Sequence, residues 1–206
     1  MDEKIKRTAE ALKKNRMQVI LALDRNEALE KALSFIRDDS AVIGVGGSVT
    51  LNEIGLMERL GRGKFNFINQ YEAGIPREEN MRRRLASQHS DILFTSTNAV
   101  TETGWLVNVD GLGNRVSAIA FGPKKVVVVA GKNKICRTLE EALRRIETIA
   151  APRNVKRLGI ENPCAEGGVC VDCESETRIC CATLIVKWQQ DPQRLHVILV
   201  DEELGY

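Results

Sequence analysis

Aromatic residues make up only 4% of the 206-residue chain, and 30 Lys and Arg nearly cancel 28 Asp and Glu, for a formal net charge of +2. With few rings for bases to stack on and no field of one sign, the composition gives no case for nucleic acid as a partner. No apolar run approaches the roughly 20 residues that a membrane-spanning helix needs, so no membrane is expected. Met1-Asp2-Glu3-Lys4-Ile5-Lys6-Arg7 is charged throughout and lacks the apolar core of a secretory signal, which predicts a cytoplasmic protein. In that reducing compartment the six cysteines read as ligands, catalysts or core residues rather than as a disulfide framework. There are only two histidines, His89 and His196, distant from each other and from any nucleophile in sequence, so nothing supports a catalytic triad. The densest basic run, Arg82-Arg83-Arg84, reads as the solvated face of a helix.

What is present is a core. At 43% hydrophobic and 28% charged, the chain fits one compact domain spanning 1–206. Apolar runs of strand length at Met17–Leu23, Ala41–Val45, Phe65–Asn69, Asp91–Thr95, Trp105–Val109 and Lys125–Ala130 alternate with helical periods at 3–14, 24–36, 50–60, 77–87 and 138–151. Residues 114–121 suit either a strand or a short helix. Leu184–Trp188 and Leu195–Val200 are read as a final pair of strands. The alternation predicts an α/β fold with a mostly parallel sheet flanked by helices, under right-handed crossovers. Asp24 with Glu27, and Thr138 with Glu141, have capping-box spacing, and Thr50 with Glu53 is read as a third.

Three places carry chemistry. Gly46-Gly47-Ser48-Val49-Thr50 breaks a buried strand and opens a helix, where open α/β sheets place ligands. Glycines admit an anion to the backbone, the helix start offers free N–H groups, and Ser48 and Thr50 add hydroxyls. Neither the dinucleotide fingerprint nor the P-loop is matched, so the turn is either an anion site or simply a tight, capped connection. Next, Thr95–Gly104 and Asn108–Arg115 are crowded with small polar residues directly after an apolar strand, which predicts a loop shaped around a ligand. There Asn98, Thr101, Asn108 and Asn114 are candidate hydrogen-bonding groups. Glu102 is a candidate base or nucleophile, and Arg115 a candidate clamp for carboxylate or phosphate. Asn, Asp and Gly are also what turns require for backbone reasons alone. Finally, Cys164, Cys170, Cys173 and Cys180 fall within 17 positions of the polar, Gly-rich segment 162–181, with one Cys-x2-Cys pair. That favours a metal centre, either zinc or a [4Fe-4S] cluster, over core packing, with a redox dithiol assisted by Arg178 as the third reading. Cys181 is adjacent, and Cys136 stands apart as a small core residue.

Residues 46–56, 95–135 and the cysteine segment together resemble the LUD (lactate utilization) family. The Asn98-Ala99-Val100-Thr101-Glu102 run, followed by Asp110-Gly111-x-Gly113-Asn114-Arg115, is the most specific part. The resemblance covers about residues 5 to 187. It implies a fold like that of ribose-5-phosphate isomerase, glucosamine-6-phosphate deaminase and CoA transferases, with the Gly46–Thr50 turn and residues 95–104 bordering the ligand cleft. Family members are associated with oxidation of lactate to pyruvate beside iron–sulfur partner proteins. The leading expectation is therefore an accessory component of organic-acid oxidation that binds a small anionic ligand. The alternatives are a free-standing isomerase- or CoA-transferase-like enzyme using Glu102, and a metal-dependent interaction or sensor module without turnover.

Overall fold

The structure is a computed structural model that describes residues 1–38 and 40–206. The four consecutive valines of β7 (Lys125–Gly131) lie near the middle of a six-stranded sheet. Side chains alternate across a strand, so Val126 and Val128 enter one core and Val127 and Val129 the other. A strand buried on both faces must be apolar throughout, which is why this segment is so legible. Its neighbours are β10 (Leu195–Val200), which leads to the edge strand β1 (Gln18–Ala22), and β4 (Ile92–Ser96), which leads through β2 (Val42–Val45) to β3 (Asn66–Phe67). Every pairing is parallel.

A second sheet of four strands, in the order β8 (Ile135–Cys136), β5 (Ala99–Thr101), β6 (Leu106–Asp110) and β9 (Ala182–Val186), packs on one side of the first. It corrects the expectation of a continuous loop over 95–104. Ala99–Thr101 pairs antiparallel with β6 and parallel with β8, which satisfies backbone groups that polar residues alone had marked as irregular. The expected final pair of strands, β9 and β10, is instead divided between the two sheets.

Helix α1 (Glu3–Lys14) packs Ile5, Ala9 and Leu12 into the core between the sheets, beside α6 (Asn114–Ala120). The segment left open between strand and helix is thus a helix. On the opposite face lie α2 (Arg25–Leu33), α3 (Val49–Glu53) and α4 (Leu56–Arg62). Asp24 caps α2 through Asn26 and Glu27 N–H, and Glu27 reaches back to accept from Leu23 N, one residue before the cap, so the expected box forms in a displaced version. The Thr50 box does not form. Ser48 is the cap, accepting from Leu51 N at 3.2 Å, while Glu53 accepts from Gly205 N instead. The helix stops after five residues and resumes past Gly55, whose φ of +78° an L side chain rarely adopts.

Phe67 and Asn66 alone pair with β2, a shorter edge than the 65–69 run suggests. Helix α5 (Arg77–Ala86) follows it. Beyond the small sheet, α7 (Leu139–Arg145) runs through a π-helical turn, Ile146–Ala150, into α8 (Ala151–Arg157). Pro152 has no N–H to continue the ladder there. A short α9 (Pro163–Gly167) opens the cysteine segment. Among the described residues no helix is long and apolar enough to cross a membrane.

Candidate functional site

From β2 the chain goes outward to β3, whereas from β4 it goes the other way to β7. The carboxyl ends of β2 and β4 therefore flank a topological switch point, the position at which open α/β sheets bind ligands. A cleft of about 260 Å³ opens there, walled by Gly47 and Ser48 after β2, Ser96 to Asn98 after β4, Asp110 to Leu112 after β6, and Asn114 and Arg115 of α6. The Gly-Ser turn and the 95–115 region are brought together as the sequence suggests.

Arg115 is the knot of the site. Its Nη1 donates to Ser96 O (3.1 Å) and Asn108 Oδ1 (2.7 Å), and its Nη2 to Asn98 Oδ1 (2.9 Å) and Val109 O (2.7 Å). All four Nη protons are consumed, so Arg115 ties the ends of β4 and β6 together and contributes field, rather than a free fork for a carboxylate. Asp110 Oδ2 accepts from Arg115 N and Val116 N and so caps α6, whose preceding Gly113 has a φ of +83° and no side chain to offer. Gly46 is required by the same knot: a Cβ would lie 2.5 Å from Thr95 Oγ1 and 2.9 Å from Arg115 Cγ. At Gly47 it would meet the Tyr71 hydroxyl at 2.5 Å.

Behind the cleft sits Lys134, only 3% exposed, in a short 3-10 turn that follows β7. Its Nζ donates to Thr50 Oγ1 (2.8 Å) and Ser96 Oγ (2.9 Å). Burial, then the charges of Arg145 and Arg115, lower its pKa to about 7, against a weaker opposing pull from Glu53. Arg145, also buried, donates to Asn98 O (2.6 Å) and Asn133 O (3.1 Å). At the rim, Arg84 lies over the Tyr71 ring and donates to Asn80 Oδ1 and Asn114 Oδ1. Arg157 donates to Tyr206 Oη (2.7 Å) and Asn154 Oδ1. All five basic side chains donate to neutral acceptors, and among the described residues none of the five makes an ion pair. Asp110 is the one carboxylate among the described residues lining the cleft.

The family profile of the LUD domain matches residues 5–200. The chain belongs to the LUD domain family. Among curated proteins none matches this sequence. The crystal structure of a DUF162 family protein from Deinococcus radiodurans is similar over 96% of both chains, with 13% identity and a TM-score of 0.51, which supports the fold assigned to this LUD domain. A ribose 5-phosphate isomerase A from Methanocaldococcus jannaschii is similar over 66% of each chain, at 20% identity and a TM-score of 0.36.

Several singled-out residues of the LUD domain stand elsewhere than in the cleft. Thr50 is fully buried and serves Lys134 rather than open space. Thr101 Oγ1 accepts from Trp105 N and pairs with Thr103, fixing the β5–β6 turn. Glu102, in the same turn, faces Arg7 of α1 at 3.4 Å and does not reach the cleft. Asn108 is fully buried, and its Nδ2 has no partner. His196 packs edge-on against Phe35, and burial lowers its pKa; His89 is exposed. Lys134, Arg145, Arg157 and Tyr206 escaped the sequence reading. The available signal was a lysine three residues past a central apolar strand, next to Ile135-Cys136. Of the basic run on α5, Arg82 and Arg83 do pair with acidic neighbours, whereas Arg84 turns to the cleft.

All six cysteines are free thiols. Cys164 on α9 is buried, and burial together with Cys170 and Cys173 pushes its thiol up. Burial and the same two neighbours also raise Cys180, against the opposing influence of Arg178. The four candidate ligands thus share one neighbourhood, although among the described residues no three metal-binding side chains converge on one point. Arg178 holds the segment by donating to Cys173 O (2.9 Å), Cys180 O (3.1 Å) and Asp172 Oδ1 (2.6 Å). Cys181 is exposed, and Cys136 is buried beside Lys134 O. The segment also adjoins the cleft, since Ile179 lines it.

Proposed function

We propose that this LUD domain binds a small organic anion in the strand-end cleft and acts as an accessory component of lactate-to-pyruvate oxidation, beside an iron–sulfur redox partner in the cytoplasm. The carrying observation is the set of four basic side chains lining one cleft, Arg84, Arg115, Lys134 and Arg157, with Arg145 behind them, each bonded to neutral acceptors and none to a carboxylate. Lys134 and Arg145 are buried without a counterion, which is unfavourable, and an anionic ligand in the cleft offsets their charge and that of the half-buried Arg84 and Arg115. Ser48, Asn98, Asn114 and the Gly46-Gly47 turn shape the space, while Arg115, Asn108 and Thr50 hold the frame behind it. An isomerase or CoA-transferase working through Glu102 fits less well, because that carboxylate sits on Arg7 outside the cleft.

A thermal-shift series with lactate, pyruvate, inorganic phosphate, sugar phosphates and CoA tests this reading, because a ligand of the native state must raise its stability by mass action. Stabilisation by one organic anion, lost in Ser48→Ala, is the expected result. No shift with any of them would sink it.

Cys164, Cys170, Cys173 and Cys180 are the proposed ligands of one metal centre, zinc or [4Fe-4S]. Their clustering in one Gly-rich segment supports this, and binding requires the loop to draw the thiols inward. Thiolates this close repel unless a cation neutralises them. Anaerobically prepared protein is expected to carry near-stoichiometric zinc, or iron with labile sulfide, and Cys170→Ser and Cys173→Ser to lose it. Metal-free wild type under those conditions would refute the assignment.

A further inference from the structure

We propose that Lys134 is a carbonyl-reactive amine: it forms a Schiff base with a small carbonyl compound bearing an anionic group, bound in the strand-end cleft. The inference rests on the anion-binding reading and adds the chemistry of the reacting group. Four features carry it. Lys134 lines the cleft yet is 3% exposed, so its amine is shielded from bulk water except through the ligand space. Its hydrogen-bond partners, Thr50 Oγ1 and Ser96 Oγ, are neutral hydroxyls that fix Nζ without holding a proton on it as a carboxylate would. The charged groups that face it are Arg145 from α7, Arg115 from α6 and Glu53 from α3, and the two guanidiniums outweigh the carboxylate in disfavouring the ammonium form. Desolvation beside other cations is the general route by which a lysine becomes a nucleophile near neutral pH.

In the step itself, the neutral amine attacks the carbonyl carbon. A C–N bond forms, and the amine proton passes to the carbonyl oxygen, with the Ser96 hydroxyl, which lines the cleft 2.9 Å from Nζ, placed to relay it. The resulting carbinolamine loses water as its C–O bond breaks, leaving the imine. No oxidant or reductant is needed. The same surplus of positive charge that attracts the anionic group also favours its carboxylate or phosphate over a neutral aldehyde. A 2-oxo acid and a phosphorylated triose share this chemistry.

The test incubates the full-length protein with pyruvate, or separately with glyceraldehyde 3-phosphate, adds borohydride, and maps the reduced adduct by peptide mass spectrometry. An adduct on Lys134 is expected with at least one of the two, absent from Lys134→Arg and retained in Lys132→Arg, whose lysine pairs with Asp201 at the surface. Trapping is expected to run about tenfold faster at pH 8 than at pH 6, following the neutral fraction of an amine whose pKa is about 7. Which compound traps distinguishes the two ligand sources. Lactate, which has no carbonyl, serves as the binding control by thermal shift. If an anion stabilises wild type but neither compound yields an adduct at Lys134, the Schiff-base inference falls and the anion site stands. If nothing stabilises and nothing traps, both fall. Equal labelling of Lys132 and Lys134 would also overturn it.

Discussion

Two arginines organise the two candidate sites, and they do so in opposite ways. Arg115 gathers four acceptors from the ends of two strands in different sheets, all of them within a folded frame. Arg178 gathers Cys173 O, Cys180 O and Asp172 Oδ1 from its own loop, six residues away at most. The first guanidinium joins elements that the sheets have already placed, so the cleft is preorganised before any ligand arrives. The second holds a segment with little regular structure between α9 and β9, whose thiols are near one another but not converged. A site of the first kind is expected to bind with little rearrangement. A site of the second kind is expected to be completed by what it binds.

The largest expected effect that separates them is Arg115→Ala. It strips four hydrogen bonds from a charged donor, leaving Asn108 Oδ1 and the Ser96 and Val109 carbonyls without the guanidinium, while Asn98 Oδ1 keeps only Val109 N. With part of the loss recovered by water entering from the cleft, about 3 kcal/mol of folding stability should disappear. Urea unfolding measures it. A change under about 1 kcal/mol would mean that the knot is decorative and the cleft not preorganised.

Lys134→Met comes next, and its sign depends on pH. Burial depresses the Lys134 pKa from 10.5 to about 7, so between those values the unfolded chain carries a proton that the folded chain has released. Wild-type stability, relative to the Met variant, therefore rises with pH across that window by about 1.4 kcal/mol per unit. Below pH 7 both states are protonated and the full penalty of a buried ammonium remains, which makes the variant the more stable protein there. Thr50 and Ser96 hydroxyls, already 3.5 Å apart, can then bond each other. Parallel unfolding series at pH 6, 7, 8 and 9 would settle the matter, and flat, coincident profiles would show that the amine titrates normally.

Ser48→Ala has a smaller structural effect, about 1 kcal/mol, the usual worth of an N-cap. Ser48 is both the cap of α3 and part of the cleft wall, so its removal should also weaken anion binding. Asp24→Ala on α2 removes a cap of similar worth far from the cleft and should leave binding intact. Equal affinities for the two variants would separate Ser48 from the ligand.

How far each site could be read in the sequence follows from the same contrast. The parallel sheet was legible at Val126–Val129 because burial on both faces leaves no polar residue to confuse the pattern. The caps at Asp24 and Thr138 were legible because they act within four residues. Thr50 was misread as a cap since its hydroxyl is used 84 residues away, by Lys134, and spacing carries no trace of such a bond. Ala99–Thr101 was hidden for the same reason: its strand partners, at 106–107 and 135–136, set its conformation against its loop-like neighbours. Glu102 drew attention by sitting in a polar run, but the turn that carries it points toward α1. The cysteines were visible through spacing alone, a local signal that needs no tertiary partner.

Arg178→Ala is expected to have the smallest effect on global stability, and for that reason it is the sharpest probe of the contrast. Its ion pair with Asp172 is largely exposed, and pairs of that kind are worth about 0–1 kcal/mol. Its two bonds to Cys173 O and Cys180 O close a loop that lies outside both sheets. Urea unfolding should therefore move by less than about 0.5 kcal/mol, while limited proteolysis between Gly168 and Cys181 should accelerate. If the thiols take a metal, the added ion should restore protease resistance in the variant, because four ligand bonds impose the same closure that the guanidinium provides. If Arg178→Ala instead unfolds the whole protein, the cysteine segment is an integral part of the frame, and its separation from the preorganised cleft is wrong.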